Sequence, residues 1–468
     1  MHTLTTSKIL HLKSAMLYKI WVGYIIVMGL IMIFLVPPFQ KPDEPSHFIK
    51  LSMIDSGTFV CEQSRLSKIT SYSQSVGDLL VKLNPWSLVV NPSILFDYNK
   101  IVEATSIKSS NNKIEDSAGN CTLNPVGYIP NLIGYKISKI FNAEIISFYF
   151  ARIFGFLTFL LAILFAYRKA NTLVAKNILL VYGAIPVVLH EVTKISYDVT
   201  LLSITPIVFV YFTNLWNSII FDYRKFLYLN IAIFILCVTK PVYIPMVLLP
   251  LILFLKHKLS HTKYDLAKYI LSYTTVIIAA FIAAVVISKY SIGNIAPEFV
   301  NSSEQIKGMV HHPLHFMSIV LKDFYNQGFY YYQSMLIGLG WLEYKLNVLL
   351  LIGFTIIAAK LIITPVQEKL ELLKQRQLLY SIILLTVIIA SCYILIVSTL
   401  YVYATPVNLN RIGGVQGRYF IPLLPFLLLV INQISQIINK NLFYFFVAFI
   451  LIIIPLIDIS NRYIIHFL

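Results

Sequence analysis

The sequence predicts an all-α integral-membrane protein, a multispanning helical bundle of about eleven transmembrane helices with a long outer loop after the first span. Three observations carry this reading. Of 468 residues, 58% are hydrophobic and 12% charged, with a mean hydropathy of +0.76, far more apolar than an ordinary soluble domain. About eleven apolar runs approach the length that crosses a hydrocarbon core. Basic residues gather in alternate short loops between those runs, as cytoplasmic turns do.

The runs lie at about 16–36, 146–167, 173–190, 199–217, 226–239, 242–256, 267–287, 346–363, 378–401, 419–437 and 442–458. The fifth and sixth are short and meet at Lys240-Pro241, where proline interrupts a helix. Lys8, Lys13 and Lys19 precede the first run; Arg168, Lys169 and Lys176, then Arg224 and Lys225, then Lys256, Lys258 and Lys263 mark successive inner turns, followed by Lys369, Lys374, Arg376 and Lys440. This places the N-terminus inside and residues 37–145, 288–345 and 402–418 outside. The chain is read as one membrane unit over 1–468, with 37–145 and 288–345 as its large outer loops. The first span is expected to stay as an anchor, because no small-residue cleavage site follows it.

The first outer loop mixes Ser, Asn and Lys with short apolar patches and reads as a small ordered cap, partly helical. Its last part, 124–135, is expected to lie along the membrane surface with Tyr128 and Tyr135 at headgroup level. Cys61 and Cys121 share this loop, on the side where a disulfide persists, but spacing leaves the bridge open. The formal net charge of +16 comes from scattered Lys and Arg, with no basic helix or aromatic-interleaved patch, which excludes a nucleic-acid partner. Glycine-rich phosphate loops, paired cysteines and H-E-x-x-H helices are absent.

Polar residues at the outer ends of the spans carry the chemistry. Directly after the first span comes Pro37-Pro38-Phe39-Gln40-Lys41-Pro42-Asp43-Glu44-Pro45-Ser46-His47. Pro42 blocks a helix and Pro45 fits only a first turn, so a helix starts at Asp43 or Glu44 and brings Asp43 and His47 to one face. Elsewhere at this level lie Asp198 and Lys194, Lys240, Trp341, Glu343, Arg418 and Tyr419. Each has a plainer role: Asp43 and Glu44 as helix caps, Asp198 with Lys194 as a structural ion pair, Lys240 snorkelling, Trp341 in an aromatic belt, and Arg418 paired with an acid. His190, Glu191 and Arg411 read as loop polarity.

The strings P-P-F-Q-x-P-D-E-P-x-H at 37–47, S-Y-D at 196–198, I-G-L-G-W-L-E at 337–343 and G-V-Q-G-R-Y-F-I-P-L-L-P at 414–425 resemble the bacterial membrane family known as domain of unknown function 2142. That family is similar to the GT-C superfamily of membrane glycosyltransferases, which take a sugar from a polyprenyl-phosphate carrier on the outer face of the membrane. The resemblance implies a GT-C-like bundle in the bacterial inner membrane, with a site facing the periplasm or exterior. It also implies Asp43 as the acid of the first outer loop, with Glu44 and His47 orienting it. Arg418 and Lys240 would hold the donor phosphate, and Asp198, Tyr419, Glu343 and Trp341 would complete the substrate-binding set. Glu343 departs from the Asp expected there. The partners implied are a polyprenyl-phosphate-linked sugar, a glycan or lipid-linked acceptor and the surrounding lipids. No cofactor is called for, although a divalent cation on Asp43, Glu44 and His47 is chemically possible. A flippase for lipid-linked sugars and a polysaccharide polymerase or ligase are the competing readings.

Overall fold

The structure, a computed structural model, describes residues 2–59, 62–63, 68–86, 96–116, 124–218, 221–257, 300–340, 344–345, 347–363, 372–407, 409 and 411–437, with isolated helical positions between 267 and 281. Five described helices are long and apolar enough to cross a membrane: Met16–Phe34, Glu144–Lys169, Asp198–Asn217, Leu378–Ala404 and Gly417–Ser435. A sixth arises if Leu173–Ala184 and Pro186–Val192, bent by 67°, form one broken span. The chain is therefore a helical membrane protein with several apolar helices. The runs at 226–239, 242–256 and 346–363 correspond to shorter helices, Tyr223–Thr239, Pro241–Leu253 and Val348–Ile362. The runs at 267–287 and 442–458 fall largely or wholly outside the described residues.

In chain order the helices used below are α1 (His2–Phe34), α2 (Glu44–Asp55), α3 (Ile129–Ser138), α4 (Glu144–Lys169), α5 (Leu173–Ala184), α6 (Pro186–Val192), α7 (Asp198–Asn217), α8 (Tyr223–Thr239), α9 (Pro313–Ile337), α10 (Val348–Ile362), α11 (Leu372–Ala404) and α12 (Leu424–Ile437). The 67° bend between α5 and α6 has a local cause. Ile185 is extended and Pro186 occupies the first turn of α6, where its missing N–H costs nothing. The main core joins Trp21, Phe159, Tyr182, Phe209, Phe226 and Phe426 from six helices, and Trp21 Nε1 donates to Leu180 O at 2.9 Å.

Helix α9, 25 residues long, lies inside what the sequence presents as a loop. Lys322, Asp323, Asn326 and Gln327 interrupt its apolar run, so no span is read there. It packs mainly on the Gly417–Leu423 turn and α6 and reaches α11 through ring pairs, Phe316 against Tyr401 (5.2 Å between ring centres) and Phe324 against Tyr393 (5.7 Å).

The described part of the first long loop is ordered, as the sequence predicts. Three short antiparallel strands, β1 (Glu62–Gln63), β2 (Lys68–Ser73) and β3 (Lys113–Asp116), pair in that order. A second core forms below them, with Phe39, Phe48, Tyr135 and Phe148 meeting largely edge to face at 4.8–5.8 Å; such pairs each add about 0.5–1.5 kcal/mol beyond area burial. Tyr128 and Tyr135 are buried in this core, which corrects the expectation of headgroup-level rings. Tyr135 turns inward because α3 packs along α4: a Cβ at Gly134 would lie 2.3 Å from Phe150 O, so only glycine permits that approach; Tyr128, just before α3, packs beside Tyr197, on which Gly127 is pressed. The opposite face of α3 keeps Ile129, Ile133 and Ile137 exposed.

Candidate functional site

The end of α1 runs into a turn that a single arginine ties down. Arg152, from α4, donates to Ile33 O (2.9 Å), Val36 O (2.8 Å) and Pro37 O (3.2 Å), and through Nε and Nη2 to both oxygens of Glu44 (2.8 and 2.5 Å). Glu44 also accepts from Phe39 N and Ile195 N, each at 3.1 Å. Both side chains are 0% exposed. Glu44 thus has two donors on each oxygen and no open position, so the expected role beside Asp43 becomes an anchoring one. Phe39 and Asp43 both adopt left-handed backbone, φ 67° and 62°, which costs each about 1–2 kcal/mol and is held by these bonds.

Helix α2 starts at Glu44 with Pro45 in its first turn, as the sequence predicts. Asp43 precedes it but makes no side-chain capping bond, which sets the cap reading aside. Its carboxylate meets Arg418 Nη2 at 2.6 Å and remains 48% exposed. Burial pushes the Asp43 carboxyl up, but the charges of Arg418, His47 and Lys194 outweigh it and hold the group below the usual aspartate value. His47 is buried, with Nδ1 2.6 Å from Tyr128 Oη. Burial, reinforced by Lys194, brings its pKa down to about 4, so the ring is neutral at pH 7. Asp43 and His47 lie within electrostatic reach of each other, but the three do not share one ligand position: Asp43 faces Arg418, His47 is bound to Tyr128 and Glu44 is saturated by Arg152. Among the described residues no three His, Cys, Asp or Glu side chains are grouped to hold a metal ion.

The break between α6 and α7 supplies the second half of the site. Glu191, buried, pairs with Lys194 and lies 3.9 Å from Arg418 Nη1. Lys194 also reaches Asp198 Oδ2 at 3.2 Å, and Lys240 Nζ is 4.0 Å from Asp198 Oδ1. The expected Asp198–Lys194 pair is present, but as part of this larger chain of charges. Lys240 does not snorkel outward; it sits 4.5 Å from the ring centre of Tyr419 and 5.2 Å from that of Tyr197, where each ring face attracts a cation. Lys41, fully buried, donates to Thr193 O and Oγ1, both at 2.7 Å, and so binds the first turn to this break.

Arg418 is clamped from the other side. Gly417 N donates to Ser334 Oγ at 3.0 Å, and a Cβ at Gly417 would lie 2.1 Å from Tyr331 O and 2.3 Å from Met335 N of α9. Tyr243 Oη donates to Tyr419 O at 2.7 Å. The Arg418 side chain is 7% exposed, and its Nε and Nη1 are buried without a hydrogen-bond partner. A buried guanidinium with unmet donors is a ready anion site.

The structure thus brings together Asp43, His47, Asp198, Lys240, Arg418 and Tyr419. Trp341 and Glu343 lie outside the described residues, as do Cys61 and Cys121; Gly340, next to Trp341, donates its N–H to His190 Nε2 at 3.4 Å. Sequence reading missed Arg152, Lys41 and the central place of Glu191. A lone arginine inside the apolar run 146–167 was the available signal for Arg152, and the Glu191–Lys194 spacing, one helical turn, was the signal for Glu191.

An apolar helical bundle in which Asp43, Glu191, Lys194, Asp198, Lys240 and Arg418 gather where helix ends meet defines the class: an integral-membrane protein with a buried charged cluster. The family model described as predicted membrane protein (DUF2142) matches residues 26–430, and the chain belongs to that family. No curated protein and no solved structure matches it.

Proposed function

We propose that this protein is a membrane glycosyltransferase of the GT-C type, moving a sugar from a polyprenyl-phosphate donor to an envelope glycan or other acceptor on the outer face of the bacterial inner membrane. The observation that carries the reading is the buried Arg418 with two unmet donors, beside a half-exposed Asp43 carboxylate and a lysine between two tyrosine rings. In this reading about eleven spans, alternating as the basic turns dictate, put the cluster outside.

The reaction exchanges one bond for another. The acceptor hydroxyl oxygen bonds to the sugar C1, the C1–O bond to phosphate breaks, and the bonding pair leaves with the lipid phosphate. Asp43 takes the hydroxyl proton, a contribution of about 10²- to 10⁴-fold. Arg418 and Lys240 stabilise the charge that develops on the leaving phosphate. Tyr197 and Tyr419 offer faces for the sugar ring, and Glu44 with Arg152 holds the turn that carries the base.

One feature favours a second reading. The broken α5–α6 pair ends in the charge cluster, and broken helices frame the substrate sites of transporters, so a translocator of lipid-linked sugars is the alternative. Purified protein in liposomes decides between them. Polyprenyl-phosphate sugars of single composition should be converted to free polyprenyl phosphate in the presence of acceptor, and Arg418→Lys should lose most of that conversion, because a point charge does not replace the guanidinium fork. Movement of intact donor across the bilayer without conversion would refute the transferase.

A further inference from the structure

The two residues assigned to base and phosphate binding are bonded to each other, and the geometry of that bond has a consequence. Both backbones are fixed: the Asp43 turn by Glu44 and Arg152, the Arg418 helical turn by Gly417 pressed on α9. Only side-chain rotation can separate the charges. A guanidinium grips a phosphate at two points either through Nε with Nη2 or through Nη1 with Nη2. Both grips use Nη2, whose two N–H groups already face Asp43 Oδ2 at 2.6 Å and Tyr419 Oη at 3.5 Å, so the charged Asp43 bond is the stronger competitor for either grip. Asp43, with no capping bond and half its side chain exposed, is the partner free to move.

We infer that Asp43 is a latch on the anion site: a phosphate group competes with the Asp43 carboxylate for Nη2 and gains Arg418 as a full two-point fork by displacing it. This rests on the donor-phosphate reading of Arg418. The released carboxylate keeps His47 from α2 and Lys194 from the α6–α7 break as its nearest ionisable neighbours, with Asp198 behind them. His47 is neutral and Lys194 is already paired with Glu191 and Asp198. Loss of Arg418 therefore takes away the strongest attraction on the carboxylate and leaves it a better proton acceptor. The base becomes available at the moment donor arrives, and an empty site keeps it tied up.

The test is a binding measurement that needs no turnover. Farnesyl phosphate and inorganic phosphate are titrated into the detergent-solubilised full chain and into Asp43→Asn, in which asparagine accepts the left-handed turn as readily as aspartate. Removal of a charge-assisted competitor predicts that Asp43→Asn binds farnesyl phosphate about tenfold more tightly than wild type while losing transfer. Asp43→Gly, which also tolerates the turn, should tighten binding as well, and Arg418→Lys should weaken it. Unchanged or weaker binding in both folded Asp43 variants overturns the latch. Absence of phosphate binding in every form overturns the latch and the donor reading together. Tightening without any sugar transfer by wild type supports the latch and rejects the transferase. Equal affinity for inorganic and farnesyl phosphate supports the latch with a free oxyanion, not a lipid, as its ligand.

Discussion

Replacement of Arg152 by methionine removes the ion-pair partner of Glu44 and leaves a fully buried carboxylate with two backbone donors, Phe39 N and Ile195 N, and the more distant charge of Lys41. Three carbonyls at the end of α1 lose their donor in the same step. Breaking a buried ion pair from one side costs about 3–5 kcal/mol, mostly the uncompensated charge. Glu44→Gln in the wild-type background strands Arg152 and is expected to cost a similar amount. The double variant Arg152→Met with Glu44→Gln removes both charges of this pair, and the glutamine oxygen still accepts from backbone, so its cost should fall below the sum of the singles by about 2 kcal/mol or more. Denaturant titration of the three variants and wild type in micelles measures this cycle. Additivity within about 0.5 kcal/mol would refute the account of Glu44 as an anchor and return it to the reactive side of the site.

Other outcomes follow from the same geometry. Gly417→Ala forces its Cβ against Tyr331 O and Met335 N, and overpacking of this kind costs about 1–3 kcal/mol; donor affinity should fall while Asp43 is untouched, as phosphate-lipid binding will report. His47 has a folded pKa of about 4 against an ordinary 6.5, so the unfolded chain binds the extra proton between those values. Stability should therefore decline as pH falls from 6.5 to 4, by up to about 3 kcal/mol from this residue, and His47→Gln should flatten that part of the pH–stability curve. Asn111→Cys, at an exposed position of the first long loop, should label from outside intact spheroplasts in a variant lacking other exposed thiols; labelling only after permeabilisation would invert the proposed orientation.

Local rules made some of this legible in advance. The start of α2 followed from Pro42 and Pro45, whose constraints act within one turn, and the Lys240-Pro241 break followed for the same reason. The five described helices long and apolar enough to cross a membrane followed from uninterrupted apolar length. Helix α9 did not, because its one-sided apolar face is cut by polar residues that length counting treats as a stop. The inward turn of Tyr128 and Tyr135 was equally hidden, since it depends on Gly127 meeting Tyr197 and Gly134 meeting Phe150. Arg418 and Asp43 were readable as candidates, but their mutual bond links positions 375 residues apart. The Arg152–Glu44 anchor spans 108 residues and leaves no trace in spacing.

The break between α6 and α7 also sets the charges against the ends of two helices. Lys41 and Lys194 stand at the carbonyl end of α6, and Asp198 opens the amide end of α7. Each charge therefore opposes the partial charge of the helix end beside it, an interaction of about 0.3–1 kcal/mol at each terminus and more where water is scarce. Lys194 and Asp198 are consequently not interchangeable. Exchanging them would preserve the ion pair while placing a cation on exposed amides and an anion on exposed carbonyls, so the polarity of the cluster is written into the direction of the backbone as well as into its side chains.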